Sequence, residues 1–373
     1  MKYSESPQQF TATVDDTIAF YRGEVEGYTN TPSVQAGQSI ELKVSTLAAY
    51  NPSTGTITPV PCSMSIYRVT AVSATNDQLV ASGYTFNATF YPLHDKTGAA
   101  IYPGQTNRFP CEYRKGCNWA TTYTLSIPSN WVSGFYYAKI ISNSDPVRVG
   151  YIPFVVKKAS PSSNILCVIA WNTYHAYNYW GGGSLYWWLG TFESPDITQG
   201  GGPYIKKVSF RRPFTNFISG GLPVTTQLGQ LDAGGKERNF IAWAESNNYP
   251  MDFCVDADLN GDSLQVQNYK LIIFPGHSEY WSLRQRNKIE NIFKTSGGNL
   301  TFHCSNNCYW KVDYYPPQTD NPDSMQCEKD NNAAFWRVQP LINGVGGPEA
   351  KFIGVQFYGV NIIQIDSVTI QGR

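Results

Sequence analysis

The chain has 373 residues, 42% of them apolar, and its 28 basic and 28 acidic side chains cancel; that length suits two domains or slightly more, and the apolar share excludes global disorder. No Lys/Arg-rich run stands out, which argues against a nucleic-acid partner, and no apolar run reaches the roughly 18–20 residues that span a bilayer. Charged residues make up only 15% while Tyr (25) and Trp (10) are plentiful, a polar but weakly charged balance common among secreted and carbohydrate-facing proteins.

The N-terminus MKYSESPQQF lacks an apolar h-region, so the expectation is either no secretory signal or a mature form. Residues 1–158 read as all-β. Short alternating runs recur through this part: SIELKVST (39–46), SMSIYRVTAV (63–72), ATFYPL (88–93), TYTLSI (122–127), GFYYAKII (134–141) and RVGYIPFVV (148–156), with turn-rich stretches such as NPSTGT between them. Six or seven such strands without a 3.6-period segment predict an immunoglobulin-like sandwich. The stretch KKASPSS (157–163) reads as a linker.

From Asn164 the pattern changes, and residues 159–373 read as an α/β domain. NILCVIAW is a continuous apolar run, expected of a strand buried on both faces. Residues 236–248 place Phe240, Ile241 and Trp243 at helical spacing, MDFCVDADL follows as a strand, and YKLIIFPG (269–276) is a second fully apolar one. SLRQRNKIENIFKTSGG (282–298) predicts a helix with Ser282 as N-cap, Ile289, Ile292 and Phe293 on its apolar face, and Gly297–Gly298 at its end. NLTFHC supplies another strand. Strand–helix–strand order predicts a mostly parallel sheet with right-handed crossovers.

Eight cysteines in a chain this long do not force a disulfide framework. Cys111 and Cys117 flank a short loop open to stapling, Cys304, Cys308 and Cys327 are open to another bridge, and Cys167 and Cys254 read as buried strand thiols. Asn87 and Asn299 begin sequons. The compartment stays open, with an extracellular location set slightly ahead of a cytoplasmic one.

Ligands bind outside the carboxyl ends of the strands in an open α/β sheet. Two segments fall there: WNTYHAYNYWGGGSLY (171–186), read as a loop after NILCVIA, and GHSEYWS (276–282), between YKLIIFP and the helix. In the second, His277 and Glu279 are two apart, so an extended backbone directs both to one side. A carboxylate beside an imidazole suits a metal ligand with a neighbouring acid/base, or an acid/base pair. The competing reading is a Glu that caps the helix and a His packed on Trp281. The first segment offers Tyr174, Tyr177, Tyr179 and Tyr186 around a triple glycine, either as ligands or as an aromatic cluster at an interface or sugar platform.

These segments together resemble the large-subunit-like family of N,N-dimethylformamidase. The likeness runs in order through EGYTNTPSVQAGQSIELKVST (26–46), IYR (66–68), IPSNWVSGFYYAK (127–139), NTYHAYNYWGGGSLY, VSFRRP (208–213), DFCVDADL (252–259), PGHSEYWS (275–282), GGNLTFHCSNNCYW (297–310), FWR (335–337) and GVQFYG (354–359). The resemblance implies an immunoglobulin-like domain followed by a three-layer α/β domain related to class I glutamine amidotransferases. It also implies a mononuclear ferric ion held by two tyrosinates and one glutamate, carried over onto Tyr177, Tyr186 and Glu279, with Tyr174 as the rival of Tyr177 and His277 as the neighbouring acid/base. Two phenolates and a carboxylate are hard anionic donors whose charges offset those of Fe3+. Tyr174, Asn178, Trp281 and Arg212 are the candidates for contacting substrate.

Two functions follow. One is a metal-dependent hydrolase that cleaves the C–N bond of a small-molecule amide. The other is a non-enzymatic secreted or surface protein, a glycan binder or an assembly subunit, with a homo-oligomer open in either case. No cysteine sits at the strand–helix elbow, which disfavours thiol nucleophile chemistry. DADLNGDS (256–263) reads as a turn rather than a calcium loop because it lacks the twelfth-position Glu, though Asp256 and Asp258 remain candidates to line the cleft. Arg211 reads as a surface ion pair. His94, His175 and His303 find no partner in the sequence, and His303 sits at the end of a strand on the same sheet edge.

Overall fold

The computed structural model describes residues 25–105, 110–144, 147–178, 180–185, 205–214, 233–329 and 333–354. Strands β1 (Val25–Thr29), β2 (Ser33–Gln35), β3 (Ser39–Thr46), β4 (Val60–Arg68), β5 (Gln78–Ala88), β6 (Leu93–His94), β7 (Ala100–Ile101), β8 (Tyr123–Ser126), β9 (Gly134–Ser142) and β10 (Arg148–Lys157) occupy the first part. They form a three-stranded sheet ordered β1-β3-β8, a five-stranded sheet ordered β2-β10-β9-β4-β5, and a small β6-β7 ladder. All pairings there are antiparallel except β2 on β10.

Period-two alternation explains what each strand buries. In β3, Ile40, Leu42 and Val44 turn into a core while Glu41 and Lys43 stay half-buried. Cys62, Met64 and Ile66 of β4 and Ile152, Phe154 and Val156 of β10 meet them in one cluster between the two sheets. The other parity of β9 and β10, through Phe135, Tyr137 and Val155, faces a second core shared with the chain after residue 165. These two strands are therefore apolar on both faces, and GFYYAKII reads as nearly continuous apolar sequence for that reason.

The second part contains β11 (Ile165–Ile169), β12 (Lys207–Ser209), β13 (Asp252–Val255), β14 (Leu271–Phe274), β15 (Tyr280–Trp281), β16 (Asn299–Phe302), β17 (Trp310–Lys311), β18 (Asp313–Tyr315) and β19 (Ser324–Gln326). Four of them make a sheet ordered β13-β11-β14-β16, parallel throughout. Along β11, Cys167 and Ile169 enter the core shared with β9 and β10, whereas Leu166 and Val168 enter a third core with Ile289, Phe293 and Trp336. β12, β19 and β18 form a small antiparallel sheet, and β15 pairs with β17. Among the described residues the fold is mixed and β-rich, with one parallel sheet and few helices, and no helix is long and apolar enough to cross a membrane.

Several expectations are modified. The segment 171–186 is not all loop, because Trp171–Tyr177 is helical. The stretch after Ser282 keeps its cap: the Ser282 hydroxyl accepts from the Gln285 N–H at 3.1 Å, and Gln285 Oε1 accepts the Ser282 N–H at 2.6 Å. It is α only over Leu283–Asn287, then continues as a π segment over Lys288–Phe293 and ends at Gly297 with φ +84°. The wider π turn changes the phase, so Ile289 and Phe293 are buried while Ile292 is exposed. Cys62, Cys117, Cys167, Cys254, Cys308 and Cys327 are free thiols, so the loop from Cys111 to Cys117 is not stapled. Asn87 and Asn299 are both exposed.

The stretch read as a linker is tied down. Asp252 accepts the Ser162 hydroxyl at 2.5 Å and the backbone N–H groups of Ser162 and Ser163 at 2.7 and 3.2 Å. Lys157 at the end of β10 reaches the fully buried Asp258 carboxylate at 2.5 Å, which also accepts the Ser33 hydroxyl at 2.7 Å and the Val255 N–H at 2.9 Å. Removing one partner of a buried pair strands the other charge. Asp258→Ala is expected to lower unfolding free energy by about 3–5 kcal/mol in urea titrations, and adding Lys157→Met is expected to recover part of the loss.

Candidate active site

The parallel register of β11 and β14 pairs Ile165 with Leu271 and Cys167 with Ile273. Their carboxyl ends therefore lie level, and the segments that follow them, 170–177 and 275–279, are neighbours. The Trp171–Tyr177 helix has seven residues, several of them aromatic and poor helix formers. Tertiary contacts hold it. The Asn172 N–H donates to both carboxylate oxygens of Asp256 at 3.1 Å. The Asn172 side chain donates to the Tyr280 carbonyl at 2.9 Å and accepts the Tyr314 hydroxyl at 2.6 Å. Burial raises the Asp256 carboxyl well above the ordinary range, against the pull of the Asn172 and Ala257 N–H groups.

Thr173 straps this helix to the second segment. Its hydroxyl donates to the His277 carbonyl at 2.5 Å and accepts the Glu279 N–H at 3.1 Å. Glu279 is thereby placed beneath the helix end, and the Tyr177 hydroxyl donates to its Oε2 at 3.0 Å. Tyr177 and Glu279 are 8% and 2% exposed, so the two oxygens meet away from bulk water. His277 is buried, with Nδ1 2.7 Å from the Ser305 carbonyl. A carbonyl only accepts, so Nδ1 is the donor in this contact.

Tyr174, the rival of Tyr177, turns elsewhere. Its hydroxyl donates to Glu237 Oε2, and burial, reinforced by the Glu237 charge, pushes the phenol well above its ordinary range. Glu237 is fully buried on the Ala233–Ser246 helix and accepts the Ala170 N–H at 3.1 Å. A Cβ at Gly276 would come within 2.3 Å of Glu237 Oε1, so a side chain there would have to displace the buried carboxylate. Sequence reasoning missed Thr173 and Glu237. Both work through contacts 63 or more residues away in the chain, so the sequence around them does not show their role.

The remaining candidates are spread out. Tyr186 lies outside the described residues. Its neighbour Leu185 is fully buried and donates its N–H to the Ala176 carbonyl at 2.9 Å. Asn178 donates to the Pro213 carbonyl at 2.8 Å and accepts the Trp180 N–H at 3.1 Å. The Trp281 indole donates to the Ser278 carbonyl at 2.6 Å within the third core. Arg212 is fully buried and gives its donors to the carbonyls of Ser209, Trp180, Gly183 and His175, at 2.6–3.0 Å. That guanidinium organises backbone around the glycine segment. Arg211 pairs with Asp323 at 2.8 Å and His94 with Glu112 at 3.1 Å. His175 is enclosed by Phe210 and Phe214, and burial, then the Arg212 and Arg211 charges, hold its imidazole well below the ordinary range. His303 packs on Phe240 rather than reaching Glu279.

Among the described residues no three His, Cys, Asp or Glu side chains converge to hold a metal. The donor chemistry would fit a hard cation: the Tyr177 and Glu279 oxygens, 3.0 Å apart and buried, are both hard oxygen donors.

A family model described as N,N-dimethylformamidase beta subunit-like, C-terminal, matches residues 65–370. The chain belongs to this family. The match takes in both segments that build the Tyr177–Glu279 pair. No curated protein matches the sequence. Solved structures share only remote likeness. A cycloisomaltooligosaccharide glucanotransferase from Paenibacillus sp. is 14% identical over 39% of this chain and 16% of its own, with a TM-score of 0.20. A lytic polysaccharide monooxygenase of family AA10 from Streptomyces lividans is 12% identical over 33% of this chain and 59% of its own, with a TM-score of 0.17. The chain spans less than two thirds of either, and at these TM-scores the likeness defines neither fold nor function.

The Thr173 strap is testable on its own. Thr173→Val keeps the shape but removes one donor and one acceptor. The expected loss is about 1–3 kcal/mol of stability in chemical denaturation, and Thr173→Ser is expected to retain most of it.

Proposed function

We propose that the chain is an amidohydrolase that cleaves the C–N bond of a small amide beside Glu279, using a ferric ion held by Tyr177, Tyr186 and Glu279. The buried Tyr177–Glu279 contact carries the reading, supported by the family to which the chain belongs. Two phenolates and one carboxylate supply three negative charges from hard oxygens, the donor type that suits a trivalent cation. When bound, that ion supplies Lewis acidity toward the amide carbonyl and a water.

The chain's own residues do the rest. Thr173 fixes the Glu279 backbone, so the carboxylate does not swing when the proton it shares with Tyr177 is lost. Burial keeps competing water away from the two oxygens and strengthens their electrostatic hold. His277, with its Nδ1 proton committed to the Ser305 carbonyl, presents Nε2 as the atom that takes a proton from water and returns it to the departing amine nitrogen. Tyr174, kept protonated against Glu237, contributes packing rather than charge.

Freshly purified protein is expected to contain about one iron per chain and to show a visible phenolate-to-ferric charge-transfer band. Glu279→Ala is expected to lose the metal and at least about 100-fold of the hydrolysis of N,N-dimethylformamide or a related small amide, whereas Tyr177→Phe is expected to abolish or shift the band. Iron-free protein whose activity survives Glu279→Ala defeats the proposal.

A further inference from the structure

Both segments that build the Tyr177–Glu279 pair touch a further buried carboxylate, that of Glu237 on the Ala233–Ser246 helix. Its Oε1 accepts the Ala170 N–H at 3.1 Å where the chain leaves β11, and its Oε2 accepts the Tyr174 hydroxyl about one turn further on. On the other segment, a Cβ at Gly276 would fall 2.3 Å from Oε1 and 2.6 Å from Cδ. The carboxylate therefore lies against the backbone of the turn from which His277 and Glu279 emerge. Ala170 offers the Trp171–Tyr177 helix no side-chain cap, and Glu237 supplies an acceptor there from outside. Tyr174 and Tyr177 are three apart and share a face of that helix. The bond that holds the Tyr174 hydroxyl thus also sets the rotation at which Tyr177 reaches Glu279.

A side chain that orients others has to be locked itself, and Glu237 has firm footing. The next residue, Arg238, donates to the two carboxylate oxygens of Asp77 at 3.0 and 2.9 Å and to the Ala71 carbonyl at 2.8 Å. Further along the same helix Glu245 pairs with Arg68. The helix is fixed in this way to β4 and to the connection between β4 and β5. Chemistry also favours a carboxylate at this place. Glutamine keeps the shape but exchanges one acceptor oxygen for a donor, so it cannot accept from both the Ala170 N–H and the Tyr174 hydroxyl.

We propose that Glu237 is a positioning residue that sets how Tyr177 and Glu279 meet. The inference rests on the amide-cleaving reading only for its iron and activity readouts.

Residue-resolved amide hydrogen exchange on the full chain tests it, with or without bound iron. The Tyr174 N–H bonds to the Ala170 carbonyl and the Glu279 N–H to the Thr173 hydroxyl. Glu237→Gln is expected to speed exchange at both at least about tenfold while β9 stays within about twofold of wild type. Tyr174→Phe removes the same hydroxyl bond and is expected to speed the Glu279 N–H by a similar factor, with the double variant less than about twofold beyond either single one. It also keeps the test open if Glu237→Gln does not fold. In iron-loaded protein, Glu237→Gln is expected to shift the phenolate-to-ferric band and to lower kcat at least about tenfold with KM within about threefold. Ile152→Val, a core change between the sheets of the first part, is expected to lower stability and to move none of these readouts. Iron-free wild-type protein defeats the amidohydrolase reading and leaves exchange to decide this one. Unchanged exchange at Glu279 in Glu237→Gln, equal acceleration in Ile152→Val, or an unmoved band in iron-loaded Glu237→Gln overturns the role of Glu237.

Discussion

The parallel pairing of β11 with β14 is the constraint on which the site depends. A parallel ladder puts both carboxyl ends on one edge, and the register of Cys167 with Ile273 makes those ends level. Two segments about a hundred residues apart in sequence then leave the sheet side by side. The Tyr177 hydroxyl meets the Glu279 carboxylate because of that register and the Thr173 strap that fixes the remaining freedom. A slip of one residue would turn each strand's apolar set toward the wrong core. The two cores flanking the sheet therefore hold the site in place as well as the fold.

Much of this was legible. NILCVIA and KLIIF announce themselves because a strand covered on both faces has no polar alternation to hide it. SIELKVST is equally plain for the opposite reason, since only one of its faces is buried. The Ser282 cap was readable because capping is local chemistry between residues three apart. The pairing of Glu279 with a tyrosine followed from position and family resemblance together, and the structure places Tyr177 rather than Tyr174 against it.

What was not legible rests on partners far off in the chain. WNTYHAY has weak helical propensity, and its helix exists because Asp256, 84 residues on, accepts the Asn172 N–H. Glu237 lies in a helix whose visible signal is its apolar spacing, so nothing local marks it as fully buried beneath Gly276. Arg212 reads from the sequence as a candidate for contacting substrate, and nothing near it in the chain shows that four backbone carbonyls take up its donors. The π segment after Asn287 likewise leaves no trace in a pattern that fits an α-helix.

The clamp on Ser162 and Ser163 has a mechanical consequence. A Ser/Pro-rich connector ordinarily acts as a pivot, yet here Asp252 grips it from the first residue of β13, and Lys157 is anchored to Asp258 in the turn that follows the same strand. Swinging one half against the other would break these bonds and open the core shared by Val155 and Phe253. The junction behaves as a weld.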